Sequence, residues 1–343
     1  MRVLPEDDAV IFVVGNSRSG TTLMARILES QGSVFFLREF HFFEQLWTSR
    51  DRNRVLSRKE AEQLVDLFFG LQYEGYLARK MRGRHADESR RFIDEHLAGN
   101  STAHQIYRAF IRYFARKHGR RIPCDQTPRN VFYLAEILEF FPEARIINMV
   151  RDPRDILLSQ KHKWKRRYLG GRNHTPLKES LRSRINYHPI TMARLWNAAV
   201  AAPRKVKEDP RVLTVHYETL VRQQEETVRK ICAFVGIPYD RAMLDVRQEG
   251  SSGRHDSTDE MGISPENIQK WRKGGLSLTE IYLCQKMSAA AMRNEGYHLM
   301  EARPAISLLI YYFLTFPAKL ALALLCNLGR MKSMAETMRR RLF

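Results

Sequence analysis

Cysteine is scarce. Only Cys124, Cys232, Cys284 and Cys326 occur in 343 residues, and none stand at metal-ligand spacing. That excludes a disulfide framework and a zinc ribbon, and reads as reduced thiols in a cytosolic setting. A signal peptide is missing as well: the first apolar run, residues 10–14, has the length of a strand. No internal repeat is present, which excludes a solenoid. Acidic residues are short, 38 against 57 Lys and Arg, for a net charge of +19. The excess is local: residues 161–184 carry nine cations and one Glu, and residues 304–343 six cations and one Glu. No nucleic-acid module or aromatic–basic alternation accompanies it, so the charge points to an anionic substrate or an anionic membrane.

What is present is enough for a full core in one large domain or two small ones. Residues 10–14, 34–37, 144–150 and 212–217 read as strands, and 57–70, 88–98, 101–117, 130–141, 192–207 and 225–235 as helices. In 101–117, Ile106, Tyr107, Phe110, Tyr113 and Phe114 fall on one face, as core residues do. In 225–235 the inward set is Val228, Ile231, Cys232 and Val235. Alternating strands and helices predict an α/β fold with a central parallel sheet flanked by helices.

Residues 15–22 carry the chemistry. A strand, a small-residue loop (Gly-Asn-Ser-Arg-Ser-Gly) and a helical pattern with Leu23, Met24, Ile27 and Leu28 build an anion site. Gly15-x4-Gly20 has P-loop spacing, but Thr21 stands where a kinase or ATPase needs lysine, and the positive charge has moved to Arg18. A second site follows strand 144–150: Arg151-Asp152-Pro153-Arg154-Asp155, with Asp152 as N-cap, Pro153 in the first turn and Ser159 eight residues after Arg151. In open α/β sheets ligands bind at the carboxyl ends of strands, where both motifs lie.

Arg18-Ser19-Gly20-Thr21-Thr22-Leu23-Met24 resembles the 5′-phosphosulfate loop of PAPS-dependent sulfotransferases (PAPS is 3′-phosphoadenosine 5′-phosphosulfate), nearest in wording to the bacterial and tyrosylprotein branches. Arg151 and Ser159 have the spacing of that family's 3′-phosphate motif. The resemblance implies a P-loop-like sulfotransferase fold and PAPS as co-substrate, with no metal. It implies an in-line transfer of the sulfuryl group to a hydroxyl acceptor such as a glycan, lipid or tyrosine. Arg18, Ser19, Gly20, Thr21, Thr22, Arg151 and Ser159 would hold the donor, with Arg18 also stabilising the leaving oxygen. A kinase, or a silent anion-binding membrane protein, are the alternatives.

The base is expected just after the second strand, beside the first. Glu39 stands 21 residues after Arg18, the family spacing between loop Arg and catalytic Glu, and aromatic neighbours favour a raised pKa. His41 is the alternative. One position departs from the family: where relatives carry Lys-Thr-Pro, this chain has Gln126-Thr127-Pro128-Arg129, so the second cation is missing unless Arg129 supplies it. Tyr217 matches a nucleotide-side tyrosine of the family. By the same resemblance the late segment 269–274 would supply Lys270 and Arg272 as phosphate ligands, with Trp271 either an adenine platform or a packing residue of the segment. Residues 250–261 read as a Gly/Ser-rich loop before it. In the basic insert, Lys161 and Lys163 are further 3′-phosphate contacts. Arg166, Arg167, Arg172 and Lys178 are too many for one nucleotide and suggest an acceptor flap.

The chain divides into a catalytic domain, residues 1–303, and an apolar, basic tail, 304–343. Pro317 and Lys319 interrupt the tail's apolar run, which favours two short interfacial helices bent at Pro317; a core-packed or dimer-forming helix and one spanning helix are the alternatives. Arg330, Lys332 and residues 339–341 would then meet anionic lipid headgroups. The expected location is the cytoplasm, peripheral on the inner membrane face.

Overall fold

A computed structural model describes residues 9–75, 83–97, 99–165, 176–206, 209–246 and 261–342. Arg166, Arg167, Arg172 and nearly all of the Gly/Ser-rich loop fall outside those residues.

Five parallel strands form one sheet: β1 (Val10–Gly15), β2 (Val34–Leu37), β3 (Ile122–Asp125), β4 (Ala144–Val150) and β5 (Val212–His216), in the order β2-β3-β1-β4-β5. Every β1 residue is buried, as a two-face-covered parallel strand requires. Val10, Phe12 and Val14 feed one core and Ile11 and Val13 the other. The sequence analysis missed β3. Pro123 sits inside its four residues, and proline normally argues against an inner strand. β3 lies between β1 and β2, so β2 is not beside β1 as expected.

The described helices are α1 (Thr21–Glu29), α2 (Arg58–Tyr73), α3 (Ala86–His96), α4 (Ala103–Lys117), α5 (Leu134–Phe140), α6 (Pro153–Lys161), α7 (Leu177–Asn186), α8 (Pro189–Ala201), α9 (Tyr217–Arg222), α10 (Gln224–Val235), α11 (Leu278–Asn294), α12 (Ile306–Asn327) and α13 (Met334–Leu342). The β1–Phe12 side of the core is aromatic. Phe12 meets Phe141 edge-on at 5.0 Å, Phe42 stacks on Tyr107 at 4.3 Å, and Phe40 packs edge-on against Phe68 and Tyr107. Burying each such ring contributes about 2–3 kcal/mol. The sequence analysis assigned the α4 aromatics to this core, and Tyr107, Phe110 and Phe114 lie in it.

The tail differs from expectation in two ways. First, α12 is one continuous helix with Pro317 inside it, not two helices bent there. Pro317 removes one backbone hydrogen bond, but packing on α7 and α8 carries the helix through. Phe316 lies against His188 and under Arg194, and Asn327 binds Asn186 and Arg182. Second, four of the five cations in the basic cluster are drawn onto carboxylates. Arg330 pairs with Glu179, Lys332 with Asp51 at 2.9 Å, Arg340 with Glu136 and Glu336 at 2.6 and 2.8 Å, and Arg341 with Glu44. Arg339 stays exposed.

Candidate active site

The loop between β1 and α1 is shaped by three positive-φ residues. A Cβ on Gly15 would lie 2.3 Å from the Met149 carbonyl oxygen, so β4 can approach only a glycine there. Gly20, the left-handed N-cap of α1, meets the Tyr217 ring; its Cβ would lie 2.6 Å from that side chain. Between them Arg18 holds φ +81, a strained state for a residue with a side chain.

That strain aims Arg18 at the second motif. Arg18 Nε donates to Ser159 Oγ at 2.8 Å. Arg151 Nη1 donates to the Arg18 carbonyl at 3.1 Å and Nη2 to the Asn267 carbonyl at 2.6 Å, while its guanidinium lies 4.5 Å over the Tyr217 ring. Asp152 caps α6 as the sequence implied, accepting from the Arg154 N–H at 2.8 Å. Ser19 Oγ and Arg151 Nε are buried without a hydrogen-bond partner. Two orphaned donors on residues flanking the starts of α1 and α6 are what an anionic ligand satisfies. Thr21 is buried and Thr22 exposed in the first turn of α1.

The late segment is tied to α6 through one carboxylate. Asp155 accepts from the backbone N–H groups of Gln269 and Trp271 at 2.8 and 3.0 Å. Burial pushes the Asp155 pKa up to about 6. Trp271 itself is buried, with the Arg154 guanidinium 4.1 Å over its ring, and packs with Leu158 and Ile281. It is therefore not an open platform for adenine, contrary to one of the two sequence expectations. Lys270 is half-buried; Arg272 is exposed and lies 4.8 Å from the centre of the same ring. Lys161 is drawn away from the motif to Glu280, at 2.7 Å. Lys178 stands exposed on α7, a helix that the sequence analysis left as flap.

Past β2, burial alternates. Phe40, Phe42 and Phe43 are buried in the aromatic core, which turns Glu39 and His41 outward. The two base candidates are partners: His41 Nε2 lies 2.9 Å from Glu39 Oε2. Desolvation pushes the Glu39 carboxyl up. The His41 hydrogen bond and the charges of His41, Lys163 and Arg129 outweigh it and hold the carboxyl below its ordinary value. The raised pKa expected from aromatic neighbours is thus reversed, because those rings point into the core while cations gather on the outer side. His41 has φ +51 and a buried Nδ1 without a partner. Gln126 donates to Thr21 Oγ1 at 2.9 Å, so the two positions where relatives of P-loop proteins place lysine meet as a neutral pair. Arg129 instead binds Glu44, at 3.1 and 3.0 Å to its two oxygens.

Residues 10–241 match the model of the sulfotransferase family. This chain belongs to that family. Three curated relatives are an uncharacterized protein of Aquifex aeolicus, protein-tyrosine sulfotransferase 1 of Danio rerio and carbohydrate sulfotransferase 3 of Mus musculus, each 24% identical. The matches take in 79%, 78% and 87% of this chain but 31%, 66% and 69% of those proteins, so the sulfotransferase spans from a third to about two thirds of their lengths. Among solved structures, the sulfotransferase domain from the curacin biosynthetic pathway aligns over 85% of this chain and 99% of its own, at 18% identity and a TM-score of 0.50. The fold expected from the sequence is thereby met. The match ends at residue 241, so the late segment, α12 and α13 lie beyond it.

Proposed function

We propose that this sulfotransferase moves the sulfuryl group of PAPS to a hydroxyl acceptor with Glu39 as base. The observation that carries the reading is the Arg18–Ser159 hydrogen bond, which joins two motifs 141 residues apart into one cradle. PAPS supplies an activated sulfuryl group whose leaving bridge oxygen gains charge as the acceptor attacks. Arg18, Ser19, Gly20, Thr21 and Thr22 would hold the 5′ side and Arg151 and Ser159 the 3′-phosphate, with Tyr217 shaping the cradle and Lys270 and Arg272 at its edge. The two orphaned donors support this fit. Glu39, ionised at neutral pH, takes the acceptor proton, and His41 orients its carboxylate. Thr21 in the lysine position disfavours a kinase.

The test pairs binding with turnover. PAP, the desulfated product, should bind the protein without magnesium. Glu39→Gln should leave that affinity unchanged and cut ³⁵S transfer from PAPS into a cell-extract acceptor pool by about 10²-fold or more. Tight magnesium-ATP binding without PAP binding would point to the kinase. Full activity of Glu39→Gln together with loss in His41→Ala would exchange the two roles.

We also propose that α12 lies in the plane of a membrane face on the cytoplasmic side. Among the described residues one helix, Ile306–Arg330, is long and apolar enough to cross a membrane, and its apolar window is not buried. At ~1.5 Å per residue α12 is about 33 Å long, the thickness of a bilayer core. Yet both ends return to one body: the Ala305 N–H bonds Thr279 Oγ1 and the Lys332 N–H bonds the Glu44 carbonyl, each at 3.0 Å. A spanning helix would have to break one of these attachments. Ile306, Ile310, Phe313, Leu314, Leu322 and Leu325 form the exposed face. The domain boundary shifts accordingly: residues 304–330 are the membrane element, while 331–342 belong with the catalytic body. Release by alkaline carbonate is expected; retention in the pellet would mean a span.

A further inference from the structure

α13 brings charge to the wall of the catalytic cleft from the far end of the chain. Arg341 is almost fully withdrawn from water and pairs with Glu44, which is itself buried. Glu44 also holds Arg129, so the cluster is two guanidinium groups around one carboxylate, with a net charge of +1. Arg129 stands three residues after Gln126, on the turn Pro128–Tyr133, and its charge is felt at Glu39. Were Arg341 absent, Glu44 would cancel Arg129. Gln126 brings no charge of its own and is occupied with Thr21.

We infer that Arg341 is a positioning residue for sulfuryl transfer: it neutralises Glu44 so that Arg129 presents net positive charge to Glu39 and the cleft, in place of the cation that Gln126 does not supply. This rests on Glu39 as the base. The groups facing Glu39 are His41 on its own segment, Lys163 after α6, Arg129 before α5 and Asp125 at the end of β3. Of these, Arg129 is tied by ion pairs to the C-terminal helix through Glu44. Arg341 lies one hundred residues beyond the family match.

The test is the titration of Glu39 in the full-length apo protein by ¹³C-carboxyl NMR, assigned with Glu39→Gln. Arg341→Gln should raise the Glu39 pKa by about half a pH unit and Glu44→Gln should lower it by a similar amount. Arg341→Lys should titrate like the parent. So should the double variant Glu44→Gln/Arg341→Gln, which keeps a net +1 and leaves no carboxylate unpaired. Transfer of ³⁵S from PAPS should fall about tenfold in Arg341→Gln with PAP affinity within about twofold of the parent. A Glu39 pKa that stays put, or that moves the same way in both single variants, overturns the inference. If Arg341→Gln does not fold, Glu44→Gln and the double variant decide. Activity retained in Glu39→Gln would sink the base assignment instead, while the NMR shifts would still report on the charge relay.

Discussion

The donor cradle and the C-terminal arm are both rich in cations, and they use them in opposite ways. At the carboxyl ends of β1 and β4, Ser19 Oγ and Arg151 Nε are buried without partners. In the arm, Arg330, Lys332, Arg340 and Arg341 each meet a carboxylate of the body. Net charge is thus a poor guide to where an anion binds. Buried donors left unsatisfied are a better one, because each costs about 1–3 kcal/mol until a ligand arrives. Four of the arm's cations are held by carboxylates, while Ser19 Oγ and Arg151 Nε in the cradle still lack a partner.

The largest effect should come from breaking the arm. Glu44→Ala removes the buried carboxylate that holds the half-exposed Arg129 and the partly buried Arg341, which should cost about 1–3 kcal/mol in a denaturant melt. A loss under ~1 kcal/mol would mean that the pairs are as weak as surface ones. Next is the cradle. Arg151→Ala should weaken PAP binding by roughly 10–100-fold, the value of one charge-assisted contact, and cost about 1–3 kcal/mol of stability through the two carbonyls it leaves unbonded. Calorimetry with PAP and with a ligand lacking the 3′-phosphate separates the roles: equal loss for both would remove Arg151 from the 3′-phosphate.

Acid should sharpen the contrast. Desolvation raises the Glu44 pKa, but Arg129 and Arg341 lower it more, so the folded value lies below the ordinary 4.5. A depressed carboxylate stabilises the fold fully above its unfolded pKa and loses that contribution as pH falls through the folded one. C-terminal proteolysis should therefore stay slow down to about pH 4.5 and accelerate below it. The smallest effect concerns salt. With four of the arm's cations paired, vesicle binding through α12 should change by no more than a few-fold when salt is raised, since apolar burial is not screened. A steep loss would restore the headgroup-binding role first expected of residues 330–341.

Much of this was legible in the chain. The strands at 10–14, 34–37 and 144–150 are apolar runs, and such runs encode themselves. The two motifs were readable because each is a local strand–loop–helix unit with fixed spacing. β3 was not, because Pro123 gives it the appearance of a break. Nor was the Glu39 pKa: sequence showed its aromatic neighbours but not that Phe40, Phe42 and Phe43 turn inward and leave the cations outside.

What the sequence determined by itself, then, is the parallel α/β sheet and two strand–loop–helix turns, set by periodicity and spacing within about twenty residues; the family was what the wording of those turns resembles. Only the tertiary structure decided that Glu39 and His41 are partners, that α12 runs through Pro317, and that Trp271 is buried under Arg154. It also decided that Arg341 reaches Glu44 across 297 residues. The reason is physical: a charge carries no mark of its partner in sequence, and what it does depends on which opposite charge the fold brings within reach and how much water the fold removes.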